Sequence, residues 1–92
     1  MIRSIKGSAT RQFIEKGKNG FSGLNTALAY RRLNQINAAS SLRDLSGLNS
    51  VGLHKLKGDL GDFWSVDVNA GWRILFRFKD SNAYDVHILD PH

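Results

Sequence analysis

Five side chains of this 92-residue sequence could bind a phosphate group or move a proton, and they come from three separate segments: His54, Lys57, Arg73, Asp90 and His92. Imidazole exchanges protons near neutral pH, and a guanidinium group binds two phosphate oxygens without losing its own charge. Together these groups suit RNA cleavage by internal attack, because the 2′-OH must lose a proton, the phosphorane gains negative charge and the 5′-oxygen needs a proton to leave.

Each of these residues also has an ordinary structural explanation when it is considered alone. His54 and Lys57 fit exposed strand positions, and the last residues of the chain fit a solvated tail. Arg73 could form a surface ion pair with Asp67, which is predicted to lie directly opposite it on the adjacent strand. Neither a metal nor another cofactor is predicted, because the histidines lack the close spacing of a zinc-ligand pair and no glycine-rich phosphate loop precedes a helix.

Length and composition predict one folded domain over residues 1–92, since 41% of the residues are hydrophobic and 23% are charged. The absence of cysteine excludes disulfides and thiolate chemistry. No segment is apolar enough for a signal peptide or a membrane span, so we expect a cytoplasmic protein without a membrane partner. Residues 1–57 carry ten Lys and Arg against two acidic residues, a net charge of +8, whereas residues 58–92 carry a net charge of −3. A polyanionic partner such as nucleic acid would explain this asymmetry.

The start of the chain predicts a short strand over residues 2–5 and a first helix over residues 8–16. Ser8 can cap that helix, and Ala9 and Phe13 share the face that we expect to be buried. Gly17 stands where a helix C-terminus favours a positive φ.

A second helix begins at Ser22 or Asn25. Its apolar residues recur at helical spacing and predict a buried stripe of Ala29, Leu33 and Ile36. Arg31, Arg32 and Gln35 are predicted to lie away from that stripe. Residues 40–52 predict an irregular connection whose leucines pack onto the core.

Apolar and polar residues alternate in three later segments, which predicts strands over residues 63–69, 72–78 and 83–89. A three-residue loop before Trp72, with Gly71 left-handed, keeps the apolar sides of the first two strands on one face. The same reasoning predicts a three-residue loop over residues 80–82.

This second loop would set Phe78 opposite Tyr84 and Ile74 opposite Ile88. The expected architecture is therefore α+β, with an N-terminal strand and two helices packed on one face of a mainly antiparallel sheet.

The register has a consequence for chemistry, because it places Arg73 at the strand end where Asp90 and His92 arrive. Leu56 is predicted to lie on the core side with Trp64, which leaves Lys55 and Lys57 on the polar face of the sheet with Arg73. We expect RNA contacts from Lys55, Arg77 and Gly71.

Several motifs resemble, in their order and over the whole chain, the HigB-like toxins of the RelE/ParE toxin–antitoxin superfamily. They are MIRSI at the start, R-D-L (43–45), L-H-x-L-K-G-D (53–59), W-S-x-x-V-N (64–69), G-W-R-I-L-F-R-F (71–78) and the final L-D-P-H. The resemblance implies a RelE-like fold and a ribosome-dependent mRNA endonuclease that cuts the message in the ribosomal A site. It also implies a cognate helix-turn-helix antitoxin, through which alone the toxin would contact operator DNA.

The family's active-site positions match this chain at the five residues first singled out. The resemblance implies that Arg73 and Lys57 bind the scissile phosphate, that His92 donates a proton, and that either His54 or Lys57 accepts the 2′-OH proton. Two departures affect substrate preference and rate: Pro91 stands where many members have tyrosine, and Ala70-Gly71 stands where many have Gly-Asn.

Two other functions are compatible with the sequence. ParE-type relatives share the fold, lack the nuclease residues and bind DNA gyrase. A non-toxic nucleic-acid-binding domain would also explain the basic first half. The joint presence of His54, Lys57 and His92 favours the nuclease.

Overall fold

The computed structural model describes residues 1–48 and 51–90, and these residues form three helices and a four-stranded antiparallel sheet in the order β1-β2-β3-β4. The elements are α1 (Ser8–Lys16), α2 (Thr26–Ala38), α3 (Leu42–Ser46), β1 (His54–Lys55), β2 (Trp64–Asp67), β3 (Arg73–Lys79) and β4 (Asn82–Leu89), with a 3₁₀ turn at Gly58–Leu60. The predicted α+β class is confirmed. Within the described residues, no helix is long and apolar enough to cross a bilayer.

The first helix has the predicted ends but a different cap and a different buried face. Gly7, not Ser8, is the N-cap residue, and Gly17 ends the helix with φ 69°. Phe13 is buried as predicted, but its buried companion is Thr10 rather than Ala9, which is exposed. Thr10 is tolerated there because its hydroxyl accepts a hydrogen bond from the Ile88 amide at 3.0 Å.

The second helix begins after Asn25, whose side chain accepts a hydrogen bond from the Leu28 amide. The predicted stripe of Ala29, Leu33 and Ile36 is buried. Arg32 was predicted to lie off this stripe, and that was wrong: it is buried with the stripe and only 5% exposed. The connection after α2 contains the short helix α3, which was not predicted and which buries Leu45.

Residues 2–5 form an extended segment rather than a full strand. Ile2 and Ile5 make isolated parallel bridges to Ala83 and Val86, so the segment lies along the outer edge of β4. The predicted first strand is therefore present only as two bridges.

The hairpin between β2 and β3 has the predicted register, with Asp67 opposite Arg73. The amide of Val68 donates to the Trp72 carbonyl at 3.0 Å, and Gly71 has φ 84°, as the three-residue loop requires.

The hairpin between β3 and β4 differs from the prediction at its turn. Lys79 pairs with Asn82 across two residues of positive φ, Asp80 and Ser81, the pattern of a type I′ turn. Phe78 therefore faces Ala83 rather than Tyr84. A bulge in β4 restores the predicted pairing of Ile74 with Ile88 further along.

The core lies between the helices and one face of the sheet, with Phe13, Leu33 and Ile36 against Val66, Ile74, Phe76, Val86 and Ile88. The opposite face, turned away from α1 and α2, is called here the far face. Along β1, β2, β3 and β4 it carries His54, Ser65, Asp67, Arg73, Leu75, Arg77 and His87.

Candidate functional site

His54 opens the far face from its edge strand. The residue is exposed, and it pairs directly with Ser65 across β1 and β2. Ser65 pairs in turn with Leu75 of β3, so the imidazole lies at the end of a row of side chains that runs across the sheet.

Arg73 lies two strands away from His54 on the same face. Its Nε is 3.4 Å from Oδ1 of Asp67, and the two side chains are 32% and 46% exposed. Within the described residues the Arg73 guanidinium makes only this ion pair and no hydrogen bond. Its terminal Nη groups are therefore available to two oxygens of a phosphate.

Asp67, the partner of Arg73, is fixed by hydrogen bonds to its own backbone amide and carbonyl groups. The Asp67 amide donates to the Val51 carbonyl at 2.8 Å, and the Asp67 carbonyl accepts from Nε of buried Arg32 at 3.0 Å. A side chain at Gly52, which has φ 63°, would collide with the Asp67 carboxylate. Asp67 thus links α2 and the segment before β1 to the arginine of the site.

The loop between β2 and β3 forms the end of the site nearest the last described residues. It lines a shallow pocket of about 260 Å³ together with Asp67 and Arg73. The carboxylate of Asp90 lies over Gly71, since a Cβ added there would be 3.1 Å from Oδ2 of Asp90. This close approach brings two of the predicted residues together, and the positive φ of 84° at position 71 favours glycine there.

Two side chains clamp this loop to the segment before α2. The Asn69 amide donates to the Gly23 carbonyl at 2.9 Å, and its Oδ1 accepts from the Asn25 amide at 2.7 Å. The Trp72 indole donates to the Ser22 carbonyl at 2.8 Å. The loop that supports Asp90 is therefore fixed on its other side.

Arg77 shares the far face with Arg73 but is occupied by a carboxylate. Its Nε and Nη2 contact Oδ2 of Asp85 at 2.9 and 2.8 Å. Asp85 has φ 52° and occupies the bulge of β4. In this structure Arg77 therefore stabilises the bulge.

The predicted face of Lys55 was wrong. Lys55 pairs with Trp64, and its Nζ lies 5.2 Å from the centroid of the indole on the helix side of the sheet. The Leu56 amide donates to the Phe63 carbonyl, so Leu56, not Lys55 or Lys57, continues the alternation of His54. The 3₁₀ turn between the strands sets this register, which sequence periodicity did not reveal. Lys57 directly precedes that turn.

His92, the predicted proton donor, lies outside the described residues. His87, to which no function was assigned, lies on the far face and is only 9% exposed. Its Nδ1 is 2.8 Å from the Asp85 carbonyl and its ring meets Phe63 edge to face, so it has a structural role.

Sequence reasoning overlooked the contributions of Ser65 and Asp67 to the site. Asp67 entered only as a surface partner of Arg73, and Ser65 only as the polar side of an alternating strand. The strand register could have identified both residues. Once β1 pairs with β2, Ser65 lies opposite His54 and Asp67 lies opposite Arg73.

The geometry leaves room for a phosphodiester between the two sides of the site. Two strand spacings and a two-residue offset separate the Cα atoms of His54 and Arg73 by roughly 12 Å. Side chains of these lengths can approach one phosphate from opposite sides, one through a guanidinium and the other through an imidazole.

Comparison with known proteins gives two results. The model of the HigB-like toxin family, described as RelE-like toxin of type II toxin-antitoxin system HigB, matches residues 3–92. The chain is also similar to Endoribonuclease HigB from Proteus vulgaris, with 34% identity over 93 residues that cover 100% of each chain. These matches confirm the predicted resemblance.

Proposed function

This chain belongs to the HigB-like family, the RelE-like toxins of type II toxin–antitoxin systems, and from this membership we propose its function. It is an endoribonuclease that inhibits translation by cutting mRNA. The relative that carries the name endoribonuclease is similar to the chain over its full length, which supports this activity.

The observation that carries the proposal is the arrangement of Arg73 and His54 on one face of the sheet. Arg73 uses only Nε toward Asp67, so its Nη groups bind two nonbridging oxygens of the scissile phosphate and stabilise the charge of the phosphorane. Either His54 or Lys57 accepts the proton of the 2′-OH. The 2′-oxygen then forms a bond to phosphorus as the bond to the 5′-oxygen breaks, which yields a 2′,3′-cyclic phosphate and a 5′-hydroxyl.

The other residues of the site complete the proton transfer and the RNA contacts. His92 donates the proton to the leaving 5′-oxygen. Asp90, whose carboxylate lies over Gly71, takes part in the same site. Arg77 binds a flanking part of the RNA on the far face. Lys55, which lies on the helix side of edge strand β1, binds RNA that passes this edge of the sheet. Because imidazole and guanidinium supply the proton transfers and the charge, the reaction needs no metal.

The substrate is mRNA on the ribosome, cut in the A site of the small subunit, and the protein therefore acts in the cytoplasm. Membership of a type II system gives the toxin an antitoxin partner. We propose that this antitoxin carries a helix-turn-helix and that the toxin reaches operator DNA only through it.

Primer extension on mRNA with and without programmed ribosomes tests the function. We expect cleavage only with ribosomes, and 5′-hydroxyl and cyclic-phosphate ends on the products. Uncut mRNA combined with inhibition of DNA supercoiling by gyrase would replace this function with the gyrase-binding alternative.

A further inference from the structure

Ser65 is an exception among the buried polar side chains. It is 0% exposed, and its hydroxyl has no hydrogen-bond partner within the described part of the chain. The other buried polar residues, Thr10, Arg32 and His87, all make hydrogen bonds. A buried hydroxyl without a partner costs about 1–3 kcal/mol, so alanine at this position would be more stable.

The neighbours of Ser65 limit what its hydroxyl can bind. Leu75, its partner on β3, is aliphatic and fully buried. On β1 its partner is His54, and side chains directly opposite on one face have Cβ atoms about 4.5–5.5 Å apart. His54 is exposed, and its imidazole makes no hydrogen bond within the described residues. Within the part of the chain that the structure describes, the polar side chain directly across the strands from Ser65 therefore has no hydrogen-bond partner of its own.

We propose that Ser65 is a positioning residue for His54. A change of side-chain torsion turns the imidazole onto the sheet, where one ring N–H donates to Oγ of Ser65. This hydrogen bond fixes the tautomer and leaves the other ring nitrogen to accept the 2′-OH proton, since a neutral imidazole has one donor and one acceptor nitrogen. When the ring becomes protonated, the same bond stabilises the imidazolium.

The inference rests on the proposed nuclease function, and it assigns to His54 rather than Lys57 the acceptance of the 2′-OH proton. Lys57 directly precedes the 3₁₀ turn beyond the end of β1, and it has no comparable neighbour on β2.

Two substitutions of Ser65 separate positioning from stability. In Ser65→Ala we expect an unchanged or raised urea midpoint, a kcat for ribosome-dependent cutting lowered at least about 10-fold, and an unchanged KM. In Ser65→Thr we expect a lower urea midpoint, because a methyl group enters a filled position, but a kcat near that of the wild type. A loss of stability alone could not produce this crossed pattern.

A double-mutant cycle then tests the coupling of the two residues. In a His54→Ala background, Ser65→Ala should lower kcat no further. Wild-type kcat in Ser65→Ala, or equal fold losses in both backgrounds, would overturn the inference while the nuclease function stands. Failure of the wild-type protein to cut mRNA would instead overturn the proposed function.

Discussion

Replacement of Arg73 by alanine should separate the chemistry of the site from the stability of the fold. The side chain is 32% exposed, and in the described structure its ion pair is one contact of 3.4 Å to Asp67, which is itself 46% exposed. Ion pairs of this kind contribute about 0–1 kcal/mol, because solvent screens them and ordering the side chains opposes them. The free energy of unfolding should therefore fall by no more than about 1 kcal/mol.

The effect on the reaction should be much larger. Removing one preorganised group that stabilises transition-state charge lowers kcat by about 10²–10³-fold, or roughly 3–4 kcal/mol. Arg73→Lys retains the charge but lacks the planar fork, so it should recover only part of the rate.

Arg77→Ala provides a matched control on the same strand. Arg77 also pairs with a carboxylate, and it lies four residues from Arg73, roughly 13 Å along the strand. Its Nε and Nη2 are both bound to Asp85, so unlike Arg73 it has no open fork for the scissile phosphate. Because Ser4 still holds the Asp85 amide at the bulge, the loss of Arg77 should raise KM and leave kcat near the wild-type value.

Single-turnover primer extension on programmed ribosomes measures the rates, and urea titration followed by tryptophan fluorescence measures stability. Cleavage by Arg73→Ala at the wild-type rate would refute the assignment of the phosphate site. Equal loss of kcat in Arg73→Ala and Arg77→Ala would show that general positive charge, rather than this position, drives the reaction.

Three other substitutions test the elements that support the site. Gly71→Ala should lower the free energy of unfolding by about 1–2 kcal/mol in urea titration, because φ is 84°, and should slow cutting because the new Cβ displaces Asp90. Thr10→Val should cost about 1–3 kcal/mol in a thermal melt by leaving the buried Ile88 amide unpaired, whereas Thr10→Ser should not. Asn69→Ala removes two of the three hydrogen bonds that clamp the β2–β3 loop, so amide hydrogen exchange should rise there and remain unchanged in α1.

Much of the fold could be predicted because apolar side chains that must be buried recur at regular spacing in the sequence. Helical spacing identified Leu33 and Ile36, and alternation identified the strands. Register followed where both faces of a hairpin constrained it: Val68 and Trp72 had to share a face, and Asp67 then had to oppose Arg73. The short helix α3 has no such period, and its capping box at Ser41 and Asp44 went unnoticed.

The candidate site was harder to predict because a register shift of one residue in edge strand β1 moves its side chains to the other face of the sheet. Lys55 was placed on the far face, but β1 has only two residues and its register is set by the turn at Gly58–Leu60. Burial was equally hidden, since Ser65 and Leu75 look like solvent-side residues although both are fully buried. Side chains from Phe63 and His87 pack across this face, and pattern alone does not show that.

The β3–β4 hairpin shows why a wrong prediction of the turn still gave the right pairing of Ile74 with Ile88. With the two-residue turn and no bulge, Ile74 would face His87, and Ile88 would lie on the far face. The extra residue Asp85 shifts the strand back by one and returns Ile88 to the core. Two contacts hold Asp85 in place. Its backbone amide donates a hydrogen bond to Oγ of Ser4 in the N-terminal segment at 2.8 Å, and its carboxylate binds Arg77 on the paired strand β3. The N-terminal segment therefore helps to determine where β4 ends, and through that register it places the Asp90 carboxylate over the loop of the candidate site.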